Sequence, residues 1–138
     1  MLPMTMEISL KTNLLFLVHL SPREIKERFL FLMDKFACSS KGMEVILAED
    51  ALLAELNEKF LQCVGPTNVL SFPAEREDYL GELVISIPAV VRESFLYAQE
   101  PEEHFWRLAI HGFLHLLGFE HGEEMYLLTE ELVQEINA

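Results

Sequence analysis

Residues 111–122 read HGFLHLLGFEHG, with three histidines in an otherwise apolar stretch. His111 and His115 are four apart. On a helix that spacing sets them about 40° apart around the axis and about 6 Å along it, so both imidazoles reach one ion. If the helix continued, His121 would sit about 120° around from His115 and some 15 Å along the axis from His111. The helix must therefore end between them, and Gly118 is the residue best suited to the left-handed conformation that ends helices. HxxxHxxGxxH thus reads as two ligands on the last turns, a glycine reversal, and a third ligand returned to the same ion. Three neutral imidazoles suit one Zn2+ and leave the fourth tetrahedral position for water, the arrangement of a catalytic site. A lone histidine on an apolar helix is more often a core or surface residue; three at this spacing, with the glycine where geometry needs it, favour a metal. His104 lies on nearly the same face as His111 but about 10 Å away, and is not expected to be a ligand.

The spacing is that of the metzincin peptidases, HExxHxxGxxH, in which a glutamate beside the first histidine is the general base. Here that position is Gly112. Glycine cannot accept a proton, so a metallopeptidase is the weakest of the readings. Glu120, immediately before His121, has three roles open to it: orienting a ligand, acting as a base, or facing solvent. Three neutral histidines and a divalent ion carry about two positive charges, which favour an anionic oxygen such as that of a phosphodiester. Phosphodiester hydrolysis follows as the expected chemistry.

Elements to position these residues are legible upstream. MEISLK (6–11) alternates apolar and polar residues as a half-buried strand does. Ser21 and Pro22 read as a helix start, followed by helical spacing at Ile25, Phe29, Leu32, Met33 and Phe36. MEVILA (43–48) is a second strand and residues 49–61 a second helix, with acids at its start. NVLSF (68–72) is a short strand closed by Pro73; PAEREDYLG reads as loop, and ELVISI (82–87) as another strand. Helices are expected at roughly 88–98, 102–117 and 123–136. The order predicts an α+β (α/β-like) single domain over residues 1–138: a small mixed sheet of about four strands covered by about five helices, with a zincin-like metal-binding helix.

The 138 residues, 51% hydrophobic, suit one core. No apolar run approaches the roughly 20 residues needed to cross a bilayer, and no signal-peptide pattern is present, so no membrane role and a cytoplasmic location are expected. Cys38 and Cys63 form no CxxC pair and are expected to be buried, reduced thiols. Net charge is −13, unevenly spread: residues 1–41 hold six basic against four acidic residues (+2), and residues 42–138 four against nineteen (−15). Arg23, Lys26 and Arg28 in the basic segment read as a solvated helix face or, alternatively, a nucleic-acid contact. Overall acidity opposes nucleic-acid binding, since Lys and Arg supply most of the non-specific affinity.

The blocks HGFLHLLGFEH (111–121), LNEKF (56–60), PTNVLSFP (66–73) and LGELVIS (80–86) together resemble the YbeY endoribonucleases, bacterial ribosomal RNA maturation factors. The likeness covers most of the chain from residue 43 onward. It implies a zinc-dependent, single-strand-specific endoribonuclease acting in 3′-end maturation of small-subunit ribosomal RNA and in ribosome quality control. Ribosomal RNA and the small ribosomal subunit are the implied partners, and His111, His115 and His121 the zinc ligands. PTNVLSFP is implied to line the cleft, with Thr67, Asn68 and Ser71 as candidate substrate contacts; turn chemistry and an ordinary strand hydroxyl are their alternatives. The chain departs from the family where an arginine is usual at Leu61, an aspartate at Asn68 and an aspartate at Glu120. Leucine cannot clamp a phosphate as a guanidinium does. Leu61 therefore motivates an alternative, a ribosome-binding factor with a mainly structural metal and weak or no nuclease activity.

Overall fold

The structure, a computed structural model, describes residues 5–61 and 67–137, with Leu61 described by its backbone alone. Its elements run β1 (Met6–Leu10), a 3-10 turn (Leu15–Val18), α1 (Pro22–Lys35), β2 (Gly42–Ala48), α2 (Asp50–Leu61), β3 (Val69–Arg76), β4 (Tyr79–Ser86), α3 (Ile87–Leu96), α4 (Pro101–Leu116) and α5 (Glu123–Asn137). The strands form one mixed sheet in the order β1-β2-β4-β3, with β1, β2 and β4 parallel and β3 antiparallel to β4. The expected α+β architecture is present.

β2 and β4 occupy the middle of the sheet, which is why their sequences are nearly continuous in apolar residues. Met43, Val45, Leu47, Leu83 and Ile85 join the main core with α1, α3, α4 and α5. Ala48 and Val84 belong to a smaller cluster on the other face, with Leu53 of α2. α4 is the central helix: Phe105, Trp106, Ala109, Ile110, Phe113 and Leu114 are fully buried. Each large side chain buried in this way contributes about 1.5–3 kcal/mol, and Trp106 packs against Phe29 of α1 at 5.4 Å between ring centroids.

Local sequence explains the helix starts. Ser21 Oγ accepts from the Glu24 amide at 3.1 Å while the Ser21 amide donates to Glu24 Oε1 at 3.2 Å, a reciprocal cap. Ser86 caps α3 by accepting from the Ala89 amide.

The segment expected as a loop after Pro73 is instead a hairpin. β3 continues to Arg76 and β4 begins at Tyr79, leaving Glu77 and Asp78 as the turn. β3 is an edge strand, where proline's missing N–H is tolerated, and the pairing shifts register between Pro73 and Arg76. Gly81, paired with Pro73, makes this possible: its φ is +132°, and a Cβ there would come 2.2 Å from the Phe72 carbonyl oxygen.

The basic segment is only partly a solvated face. Arg23 pairs with Glu27 at the surface, but the Arg28 guanidinium lies 5.8 Å over the Trp106 ring. Cys38 is free and buried, and burial raises its thiol pKa, whereas Cys63 lies outside the described residues. Among the described residues no helix is long and apolar enough to cross a membrane.

Candidate metal centre

The site is built where α4 ends. The Gly118 amide donates to the His115 carbonyl at 3.0 Å and the Phe119 amide to the Leu114 carbonyl at 3.0 Å, with Gly118 at φ +100°. These are the paired bonds of a Schellman termination. Phe119 is anchored by edge-to-face packing on Phe36, at 6.4 Å. The reversal carries His121 back beside the two helical histidines: its ring centroid is 5.0 Å from that of His111 and 4.4 Å from that of His115. One nitrogen from each of His111, His115 and His121 falls within 4.8 Å of the others, so the three could hold a metal ion.

Two further features fit such an ion. His115 Nδ1 lies 3.0 Å from the Phe119 carbonyl oxygen, an acceptor only, so Nδ1 carries the proton and Nε2 keeps its lone pair. That Nε2 lies 3.2 Å from His111 Nε2, close to the roughly 3.3 Å separating two nitrogens on one tetrahedral zinc with bonds of 2.0–2.1 Å. Burial pushes the His111 pKa down, and the charges that His115 and His121 would carry push it further. Its neutral, ligating form is favoured.

The cluster lies in an open cleft of about 780 Å³ between β3, α4 and the start of α5. Thr67, Asn68 and Ser71 all line this cleft. The Asn68 amide donates to both carboxylate oxygens of Glu93 at 3.2 Å, and Glu93 Oε1 also lies 2.8 Å from His104 Nε2. An aspartate at position 68 would face Glu93 as a like charge, whereas asparagine supplies the donor. Ser71 Oγ donates to the Gly112 carbonyl at 2.9 Å and so docks α4 on β3. Glu120 is exposed and is not among the residues lining the cleft. His104 is buried and outside the histidine cluster. Leu61, whose arginine counterpart is usual in the resembling family, has its side chain outside the described residues.

Gly112 has a steric role as well as a chemical one. A Cβ on it would come 2.2 Å from Leu83 Cδ1, 3.1 Å from Val69 Cγ2 and 3.2 Å from Ser71 Oγ. α4 therefore packs on the sheet through a position with no room for a glutamate.

Sequence reading missed Arg107 and Glu130, which line the same cleft. Arg107 Nε and Nη2 donate to the two oxygens of Glu130 at 2.7 and 3.0 Å, Nη1 donates to Gln99, and Nη2 lies 3.4 Å from Glu103. The hydrogen bonds that Arg107 donates to Glu130 do most to raise its already high pKa. Arg107 is four residues before His111, so the periodicity that joined the histidines was also a signal for it.

Known proteins resemble this chain in sequence and in fold. The family model described as Endoribonuclease YbeY matches residues 19–137. The Endoribonuclease YbeY of Oleidesulfovibrio alaskensis is 40% identical, in a match covering 83% of this chain and 82% of the relative. That of Lawsonia intracellularis is 39% identical over 70% of this chain and 74% of its own length. In three dimensions, the solution structure of TM1509 from Thermotoga maritima is similar, with a TM-score of 0.71 and 26% identity over 96% of this chain and 89% of that one. With the family model matching from residue 19 to residue 137 and relatives about 40% identical over most of both chains, this chain belongs to the YbeY endoribonuclease family.

Proposed function

We propose that the chain is a zinc-dependent endoribonuclease specific for single-stranded RNA, acting in the cytoplasm on the 3′ end of small-subunit ribosomal RNA, with the small ribosomal subunit as its partner. The observation that carries this reading is the convergence of three imidazoles within 4.8 Å in a cleft shared with a polar strand end, in a chain whose relatives bear the name endoribonuclease. His111, His115 and His121 would hold the ion; when bound, it supplies Lewis-acid polarisation of a phosphoryl oxygen and a lowered pKa for water. The Phe119 carbonyl keeps His115 in the tautomer that leaves Nε2 free. Thr67 and Asn68, on the cleft wall, are assigned to substrate contact, with Asn68 oriented by Glu93. Ser71 combines a place on that wall with the bond that seats α4. Glu120, exposed and next to His121 in the chain, is assigned proton acceptance. A peptidase reading lacks its base, and the Gly112 position has no space for one.

The test combines metal content by mass spectrometry with cleavage of labelled single-stranded and duplex RNA. About one zinc per chain is expected, with cleavage confined to single strands. His115→Ala should lose the metal and reduce cleavage at least ~100-fold, while circular dichroism shows the fold retained. Intact single-stranded RNA after incubation with zinc-loaded wild-type protein would sink the reading.

A further inference from the structure

A chain of net charge −13 must still hold a polyanion at this cleft. Beyond residue 41 it has four Lys or Arg residues: Lys59, Arg76, Arg92 and Arg107. Arg76 is paired with Asp78 and Arg92 with Asp50, and neither lines the main cleft; Lys59 Nζ lies over the ring of Phe60. Among the described residues, Arg107 is the lone Lys or Arg on that cleft. One helical turn before His111, it stands about 6 Å along the same face as the first candidate ligand. Its fork is engaged by Glu130 through two parallel bonds, at 2.7 and 3.0 Å. That is how a guanidinium grips a phosphate, because carboxylate and phosphodiester present the same pair of oxygens to it.

We propose that Arg107 is the phosphate-binding residue of this cleft, and that Glu130 occupies its fork in the absence of RNA and is displaced when a substrate phosphate takes its place. The proposal rests on the ribonuclease reading. It gives the cleft a guanidinium in a chain that has leucine at position 61. Both partners are suited to exchange: the Arg107 side chain is 24% exposed and that of Glu130 31%, so an incoming phosphate reaches the pair without unpacking the core. When the carboxylate swings out, Gln99 still holds Nη1 and keeps the guanidinium in place.

Equilibrium binding of a fluorescein-labelled single-stranded oligoribonucleotide, followed by anisotropy in a His115→Ala background to prevent cleavage, tests the exchange directly. Arg107→Gln is expected to weaken binding about tenfold and Glu130→Gln to tighten it by a similar factor, the scale of one charge-assisted contact. The double variant should match Arg107→Gln alone, because Glu130 acts only through Arg107. In the cleaving enzyme the same changes should fall mainly on KM. If Arg107 merely clamps α4 to α5, Glu130→Gln will lower the melting temperature with no gain in affinity, and the proposal is overturned. Should Arg107→Gln fail to fold, Arg107→Lys keeps the charge without the fork and must still weaken binding; unchanged affinity would overturn the idea. Wild-type protein that neither binds nor cleaves RNA would overturn the ribonuclease reading and this proposal with it. Wild-type cleavage with indifferent Arg107 variants would overturn this proposal alone.

Discussion

At the scale of single residues, Gly112 carries two constraints that chemistry and packing impose separately. In the motif it stands where a peptidase has its base, and in the fold it is the point where α4 touches Leu83, Val69 and Ser71. Gly112→Ala is therefore expected to destabilise the protein by about 1–3 kcal/mol through overpacking, despite alanine's better helix propensity. Thermal melts would show it, and Gly112→Ala should cost less in a Leu83→Ala background, where the space has been vacated. An unchanged melting temperature for Gly112→Ala would mean that α4 does not seat on the sheet through this residue. The chemical part of this constraint was legible from residue type alone. The steric part was not, since Leu83 and Val69 are distant in sequence and meet Gly112 only after the sheet has formed.

At the scale of elements, the end of α4 decides whether three histidines become one site. Gly118 has open space around its Cβ position, so the cost of a side chain there is purely that of the φ of +100°. Gly118→Ala should destabilise by about 1–2 kcal/mol and, by shifting the return of His121, weaken zinc binding measured by chelator competition. Zinc affinity equal to wild type would separate the helix stop from the site. A second element-level link joins the start of α2 to the end of β4 and to α3: Asp50 accepts from Ser86 Oγ at 2.7 Å and from Arg92 Nη1 at 2.8 Å. The hydrogen bond from Arg92 holds the Asp50 carboxyl below the usual carboxylate range, with Ser86 helping and burial opposing. A depressed folded-state pKa means the stabilisation is present above the unfolded value of 3.8 and is lost as pH falls through the lower folded value. Urea unfolding of wild type and Asp50→Asn should thus differ near neutral pH and converge as the pH drops below 3.8; a constant gap would contradict the assignment. The helix starts and stops were readable because caps are local. The hairpin at Glu77 and Asp78 was misread because Pro73 and Gly81 look like loop residues until one knows that β3 is an edge strand and that the two residues oppose each other.

At the scale of the whole molecule, a metal held by His111, His115 and His121 would join the last turns of α4 to the approach of α5. Binding only to the folded chain, zinc at 100 times its dissociation constant would add about 2.7 kcal/mol, or several degrees of melting temperature for a domain of this size. Dialysis against a chelator should remove that increment from wild type, and should leave the melting temperature of His115→Ala unchanged; an equal drop in both would place the effect elsewhere. The strand and helix periods, the Ser21 cap, the glycine stop and the histidine spacing were all determined by the sequence alone, because each depends on residues within a few positions of one another. Only the tertiary structure decided that Gly112 has no room for a side chain, that Asn68 is bound by Glu93, and that Arg107 and Glu130 share the cleft with the histidines. Those contacts join positions tens of residues apart, and no local pattern encodes a meeting that exists only once β3, α3, α4 and α5 have packed together.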